Sequence, residues 1–484
     1  MPVEIRFITT GCRLNQIESE SAARFFVEKS FSVSLNPVSA SDEADGGTIL
    51  CVVNTCAVTQ KAEQKDRRLI RLALEKFPHA AVVVTGCYAQ LAQDVLAGMG
   101  LRVAVLPGQR KSRLEQAAAL LREQVDSGGF SAAAFADALS RTVAAPPQEE
   151  AGTGERPFRL STESFLAHSR PSIKIQDGCS NACTYCAIRL ARGRSVSLDA
   201  EEVLSQVRRF EAAGCAEVVF TSVNLAQYRG AYKGRTVGFA ELLELCLAET
   251  ERLAFRISSL YPELVDGRFC AAAEDPRVRP HFHLSVQSGS DAVLQAMGRR
   301  YRAADVAAAC RLLRSAKRNP FVACDIITGF PGETEDDFER TAALCRDCSF
   351  SWIHVFPFSA RPGTAAAGMR PAVPQSVSGR RAAFLAALAA ERKKAYIDSC
   401  RGAVLDAVLE PAERRSVFGS AGGLRHHAVT ENFLHCELSV PHGCALPAPG
   451  RRISVRIVEA SESGMKKGGG TECLAELVLP QPCT

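Results

Sequence analysis

The 484-residue sequence predicts an α/β protein in three parts: an N-terminal domain built on a parallel sheet, a central partial (β/α)6 barrel, and a small C-terminal β-barrel. Three observations carry that expectation. Short β-branched runs alternate with amphipathic helical stretches up to residue 126, six strand–helix units recur between residues 164 and 398, and the pattern then changes to short strands and turns.

In the first domain, residues 1–126, the strands fall at Ile5–Thr10, Thr48–Asn54, Ala81–Thr85 and Val103–Leu106. Apolar runs of this kind suit parallel strands covered on both faces. Residues 127–163 pass through Gly128-Gly129, an alanine-rich stretch and Pro146-Pro147 without a sustained period, and read as a linker carrying one helix. In the central domain, residues 164–398, strands are expected at Ser172–Gln176, Glu217–Ser222, Ala254–Ser259, His281–Val286, Phe321–Thr328 and Trp352–Phe358. Their ends carry glycine or polar residues, at the edge where parallel α/β folds place their chemistry. A helix over Arg381–Asp398 leads to strands at Val404–Glu410, Phe433–Val440 and Ile453–Val458, a small barrel over residues 399–460. Residues 461–484 read as an irregular tail.

A content of 46% hydrophobic and 23% charged residues excludes a disordered chain. No apolar run reaches the ~18 residues of a membrane span, and Met1-Pro2-Val3-Glu4 does not begin a basic-then-apolar leader, so a cytoplasmic location away from membranes is expected. A net charge of +5 permits local basic patches without demanding a nucleic-acid partner. The 19 cysteines are odd in number with no secretory signal, which favours metal or redox chemistry over a disulfide framework. Cys215, Cys246, Cys270, Cys310, Cys324, Cys345 and Cys348 are scattered through helix and strand patterns and read as core.

Cys179, Cys183 and Cys186 are different. Their C-x3-C-x2-C spacing on one short loop after the first barrel strand can ligate three irons of a cubic 4Fe-4S cluster and leave the fourth open. A closed zinc site wants a fourth ligand, which is not at hand locally. A second set is split. Cys12, Cys56 and Cys87 each follow a predicted strand, and parallel strands put those ends along one edge, giving three more thiolates. Cys51, inside its strand, points to the other face of the pleat and reads as core.

The triplet, with Tyr185 before its last cysteine and six βα units after it, resembles the radical S-adenosylmethionine superfamily. That resemblance implies that S-adenosylmethionine chelates the open iron and is cleaved to a 5′-deoxyadenosyl radical. Ser222, Asn224, Ser258, Gln287, Ser288, Gly329 and Glu333, on the strand ends, are then candidate contacts to the molecule, together with Tyr185. The phrases Thr10-Gly11-Cys12-Arg13-Leu14-Asn15-Gln16, Asn54-Thr55-Cys56, Thr85-Gly86-Cys87, Gly329-Phe330-Pro331-Gly332-Glu333 and Arg361-Pro362-Gly363-Thr364 resemble the methylthiotransferases nearly end to end. Within that family the first phrase and His354-Val355-Phe356-Pro357-Phe358-Ser359 are most similar to the branch acting on threonylcarbamoyladenosine in tRNA. Arg189 stands where the family commonly has proline.

The resemblance implies a 4Fe-4S cluster on each cysteine set: the first carries sulfur that one S-adenosylmethionine methylates, while the radical made at the second abstracts hydrogen from adenine carbon 2. It implies tRNA, through its anticodon stem-loop, as partner, with an electron-donor protein and a sulfur source. The terminal segment resembles a TRAM-like RNA-binding barrel, with Arg401, Arg414, Arg415, Arg425, His426, His427, Arg451 and Arg452 as charge and Asn432 and Phe433 as contacts. Arg192 and Arg194 are candidates for the carboxylate that the threonylcarbamoyl group adds. The competing readings are the same chemistry on isopentenyladenosine or on a ribosomal-protein aspartate, and a non-enzymatic iron–sulfur carrier. A carrier needs no six-unit domain with polar strand ends.

Overall fold

A computed structural model of the chain describes residues 3–144, 158, 169–414, 424–441, 444–461 and 471–479. The chain forms two compact units: Met1–Thr162 with Gln176–Ser197 and Ser359–Gly368, and Glu163–Ile175 with Leu198–Phe358 and Met369–Thr484.

The first unit is built on β1 (Glu4–Thr9), α1 (Arg13–Val27), β2 (Ser32–Ser34), β3 (Thr48–Thr55), α2 (Gln60–Lys76), β4 (Ala81–Gly86), α3 (Cys87–Leu91), α4 (Gln93–Ala97), β5 (Val103–Val105), α5 (Leu114–Asp126) and α6 (Ala132–Ala144). The sheet runs β2-β1-β3-β4-β5 and every pairing is parallel. Side chains alternate along each strand. Phe7, Leu50, Val52 and Val83 therefore pack with residues of α1, α5 and α6, while Ile8, Cys51, Val53 and Val84 pack with residues of α2 and α3. Cys51 is fully buried on that second face, as its register predicts. Helix α6 corrects the expected linker: Ala132, Phe135, Ala136 and Leu139 bury into the first core, so the domain runs on to residue 144. The alanine-rich stretch hid an amphipathic face behind a weak period. Residues 145–157, the greater part of the expected linker, lie outside the described residues.

In the second unit β6 (Ser172–Lys174), β9 (Glu217–Thr221) and β12 (Ala254–Ile257) form one parallel sheet, and β13 (Ser259–Leu260), β14 (His281–Gln287), β15 (Phe321–Thr328) and β16 (Trp352–Pro357) form another. Between β6 and β9 come the pair β7 (Gln176–Asp177) and β8 (Val196–Ser197), which belongs to the first unit; β10 (Gly230–Tyr232) and β11 (Arg235–Val237) make a hairpin. Strands β12 and β13 are separated by Ser258 alone, so the two sheets make the expected six-step parallel array in sequence order. The helices over Ala200–Ala212, Phe239–Glu249, Ala303–Ala316 and Glu335–Asp347 cover its outer face, where Cys246, Cys310, Cys324, Cys345 and Cys348 are buried core residues.

The terminal barrel is closed by five strands, β17 (Val404–Leu409), β21 (Arg452–Ala460), β22 (Cys473–Val478), β20 (His435–Ser439) and β19 (Leu424–Thr430), with β19 returning to pair β17 and β18 (Glu413–Arg414) extending β19. Strand β22 corrects the expected tail. Cys473 and Ala475 are buried in the barrel core, and β22 pairs with both β20 and β21. A glycine- and lysine-rich approach masked a six-residue alternating strand. The same core includes Phe321 and Ala323 of β15 and Tyr396, Ile397 and Cys400 at the end of the 25-residue helix Gln375–Ser399, so the barrel is packed onto the central array.

Candidate functional site

Cys12, Cys56 and Cys87 follow β1, β3 and β4, three neighbouring strands of one parallel sheet. Their ends are tied together by the residues beside them. Asn15 Nδ2 donates to the carbonyls of Thr10 (2.9 Å) and Thr55 (3.0 Å), and Asn54 Nδ2 donates to the Asn15 carbonyl (2.8 Å). Asp66 accepts from Thr10 Oγ1 (2.7 Å) and from the Cys56 amide (2.8 Å), and Thr55 Oγ1 donates to the Thr85 carbonyl (2.5 Å). Gly86, at φ +101°, has no room for a side chain: a Cβ there would stand 2.4 Å from the Thr55 carbonyl oxygen.

Cys56 and Cys87 are buried and Cys12 is exposed. Burial pushes the Cys56 thiol up to about 12 and raises that of Cys87, the latter opposed by Arg192 and Lys111. The three thiols act on one another electrostatically. Such thiols become thiolates when a cation is coordinated. Among the described residues no three ligating side chains already converge on a single point. The donor set nevertheless suits a thiolate-ligated cluster: three cysteines on one edge, with the buried Asn54 Oδ1 and Thr85 Oγ1 beside them lacking hydrogen-bond partners among the described residues.

The second triplet lies on the loop after β7, in the same unit. Cys179 is buried, Cys183, Cys186 and Tyr185 half-buried. Gln176 Nε2 spans the loop base, donating to the Gly178 carbonyl (2.7 Å) and Ser195 Oγ (2.8 Å), and the Cys179 amide donates to the Gly193 carbonyl (3.0 Å). Helix α7 (Ile188–Arg192), directly after Cys186, packs on α3, which begins at Cys87; Ala191 shares a core with Cys87, Tyr88 and Ala89.

Arg192 ends α7 and corrects one expectation. Its side chain is 8% exposed; Nη1 donates to Glu18 (3.0 Å) and Asp177 (3.0 Å), and Nη2 to Asn15 Oδ1 (2.7 Å). Burial would lower its pKa, but Glu18 and Asp177 hold it well above the ordinary arginine value. Glu18 also pairs with buried Lys111. With two carboxylates in place, Arg192 has no charge to spare for a substrate carboxylate. Arg194 is exposed. Sequence reading did not single out Asn15, Glu18, Asp66 and Lys111; the Thr-Gly-Cys-x-x-Asn-Gln phrase held one of them in plain view.

On the second unit's strand edge, Thr221 Oγ1, Ser222 Oγ, Ser258 Oγ and Glu333 Oε1 are buried without a hydrogen-bond partner among the described residues. Orphans of this kind along one edge fit a polar ligand. Gln287 ends β14 at φ +70°, an uncommon strain for a non-glycine residue. Asn224 Oδ1 caps a short turn by accepting from the Ala226 amide (3.1 Å). Ser288 is a correction: its hydroxyl is fully buried against Thr341 Oγ1 (3.2 Å) and accepts from the Ser290 amide (3.1 Å), so it serves the fold. The Gly329 amide donates to Glu333 Oε2 (2.6 Å), which Arg381 also pairs (2.7 Å), and a Cβ at Gly329 would lie 2.4 Å from Ser378.

The expected RNA contacts in the barrel are also corrected. Asn432 is buried, donating to Tyr396 Oη (3.0 Å), and Phe433 stacks on His281 at 4.1 Å between centroids, with Arg256 over its ring at 5.2 Å. His281 opens β14, so Phe433 faces the amino ends of the strands, the edge that serves stability in such arrays. There Glu217 pairs with Arg256 (2.6 Å) and Arg279 (2.9 Å). Arg451 and Arg452 donate to backbone carbonyls of the central array, at Gly214 and Arg252. Arg401 and Arg425 are exposed, and Arg415 lies outside the described residues.

Two family descriptions match the chain: the radical SAM superfamily over residues 173–345, and an uncharacterized protein family, UPF0004, over residues 4–108. The threonylcarbamoyladenosine tRNA methylthiotransferase MtaB of Treponema pallidum is 41% identical, over 94% of this chain and 98% of that protein. The MtaB of Thermotoga maritima is 35% identical over 77% of this chain and 78% of its own length. A tRNA-2-methylthio-N(6)-dimethylallyladenosine synthase of Salmonella paratyphi A is 29% identical over 89% and 86%. The match spans both cysteine sets and the central array, and the chain belongs to the radical S-adenosylmethionine methylthiotransferase family.

Proposed function

We propose that this chain attaches a methylthio group to carbon 2 of N6-threonylcarbamoyladenosine beside the tRNA anticodon. The observation that supports the reading is identity of 41% across 94% of the chain to a relative named for that substrate, against 29% to one named for the dimethylallyl base. Iron–sulfur clusters on two cysteine sets, with S-adenosylmethionine, supply the radical, the methyl group and a seat for sulfur when bound.

The chain's own residues do the holding. Cys179, Cys183 and Cys186 are the ligands for one cluster and Cys12, Cys56 and Cys87 for the other. The partnerless Thr221, Ser222, Ser258 and Glu333 oxygens are the candidate contacts to the polar groups of S-adenosylmethionine; an unsatisfied buried polar atom costs about 1–3 kcal/mol, which such a ligand relieves. Asn224, Gln287 and Gly329 in the second unit, and Tyr185 in the first, are the further candidates for contact to S-adenosylmethionine. Asn15, Asp66 and Arg192 fix the strand ends and the cluster loop. Exposed Arg194, Arg401 and Arg425 are the candidates for phosphate contact. An electron donor and a sulfur source complete the reaction. Among the described residues no helix is long and apolar enough to cross a membrane.

Anaerobically reconstituted protein, given anticodon stem-loops bearing either threonylcarbamoyl- or isopentenyladenosine, tests the substrate. The threonylcarbamoyl stem-loop should be converted much faster. Equal turnover, or preference for the isopentenyl base, overturns the substrate and leaves the enzyme class.

A further inference from the structure

Arg361 follows the last strand of the central array in sequence, yet its segment, Ser359–Gly368, belongs to the unit that holds both cysteine sets. The segment is fastened at two points. The Gln60 amide donates to Ser359 Oγ (3.1 Å) at the start of α2, just past Cys56, and the Ala366 amide donates to the carbonyl of Thr184 (2.8 Å), between Cys183 and Cys186. Gly363, at φ +78°, and Thr364, whose Oγ1 donates to the Arg361 carbonyl (2.7 Å), turn the chain between those anchors.

The Arg361 side chain is 3% exposed. Nη2 pairs with Glu63 of α2, while Nε and Nη1 are buried without any partner among the described residues. Arg192, by contrast, is held by two carboxylates and an amide oxygen. Burial lowers the pKa of Arg361, opposed by Cys56, whereas that of Arg192 is raised. One carboxylate therefore under-compensates this guanidinium. A buried cation with two open donors beside a thiol set is a built site for a small anion.

We propose that Arg361 is the anion-holding residue of the first cysteine set, its two open N–H-bearing nitrogens taking the sulfur co-substrate, a hydrosulfide or methanethiolate anion, and keeping it beside Cys56. The assignment rests on the methylthiotransferase reading only in naming sulfur as the anion. It makes Arg361 a positioning residue, and Glu63 a brake on its affinity, since the carboxylate repels the same anion it stands near.

The test titrates sodium methanethiolate into the anaerobically reconstituted, reduced full chain without tRNA, following the iron–sulfur electron paramagnetic resonance signal. Losing a charge-assisted contact should weaken binding about tenfold in Arg361→Gln, and Arg361→Lys should recover most of the loss. Glu63→Gln should tighten it. Unchanged affinity in Arg361→Gln overturns the proposal. So does equal weakening in Arg361→Gln and Glu63→Gln, which marks a brace for the segment. If Arg361→Gln loses iron, the opposite directions expected of Arg361→Lys and Glu63→Gln decide. A parallel stem-loop binding arm separates the other source of an anion: lost preference for the threonylcarbamoyl base with unchanged methanethiolate affinity assigns Arg361 to the substrate carboxylate and overturns the proposal. Failure of the substrate reading shows instead as equal turnover of the two stem-loops, or preference for the isopentenyl one, in the wild type, with these affinities intact.

Discussion

At the scale of single residues the buried ions decide most. Arg192 neutralises Glu18 and Asp177 from the end of the helix that follows the cluster loop. Replacing it with glutamine leaves two buried carboxylates short of a counter-charge, and breaking a buried pair of this kind costs about 3–5 kcal/mol. Lysine should rescue little, because a point charge cannot reproduce the forked contact. Denaturant melts of the full chain check the stability loss; preference between stem-loops in the residual enzyme should not change, which separates this role from substrate reading. Histidines supply a pH dependence. Burial lowers the pKa of His435 to about 3, helped by Arg170, Lys393 and Arg256, and lowers that of His281 well below the ordinary histidine value. A folded-state pKa below the unfolded value means the unfolded chain binds more protons. Stability is thus complete above about pH 6.5 and falls as pH drops toward the folded values, by up to about 1.4 kcal/mol per pH unit for each histidine. Melts between pH 7.5 and 5.5 should show the loss, and His435→Gln should flatten part of it. The cysteines were legible one by one in the sequence, because a strand end is visible as the close of a β-branched run. Arg192's partners were not, since Glu18 and Asp177 are 159 positions apart in the numbering and only the fold joins them.

Elements tell a similar story with different exceptions. Apart from the three-residue edge strand β2, which was not expected, strands of the parallel sheets were legible within a residue or two, as with Phe321–Thr328, because continuous apolar runs have few alternatives. Strands β19 and β22 were missed, and helix α6 was expected only as a helix within a linker, each lying beside glycine-rich sequence that breaks the period used to see them. Strand β22 matters most: it supplies the link between β20 and β21 that closes the barrel. Ending the chain at Ser461 should open the barrel and expose Leu434, Val455 and Ile457, now fully or almost fully buried. Limited proteolysis should then cut within β17–β21, and the loss should extend to Phe321 and Tyr396, which share that core. A truncated chain that resists protease as the full chain does would show the barrel closes without its last strand. For the same reason removal of everything after Asp398 is not a clean test of RNA affinity: it strips the cover from the end of β15. The expected stacking ring, Phe433, illustrates the point, since an aromatic in a presumed RNA barrel is used to seat the barrel on His281 and Arg256.

Over the whole molecule the account divides labour between two cysteine sets that the fold gathers into one unit although they span positions 12 to 186. That gathering was legible by two routes: the tight triplet announces itself by spacing, whereas the split set rested on three predicted strand ends, which the sheet order β1-β3-β4 puts side by side. If each set holds its own 4Fe-4S cluster, the reconstituted chain carries about eight irons. The most direct test replaces Cys12, Cys56 and Cys87 together by alanine and measures iron, 5′-deoxyadenosine and methylthio product from a threonylcarbamoyladenosine stem-loop in one anaerobic reaction. The account predicts about four irons, continued reductive cleavage of S-adenosylmethionine, and no methylthio product. Full iron in the folded variant, or cleavage abolished along with product, would contradict it.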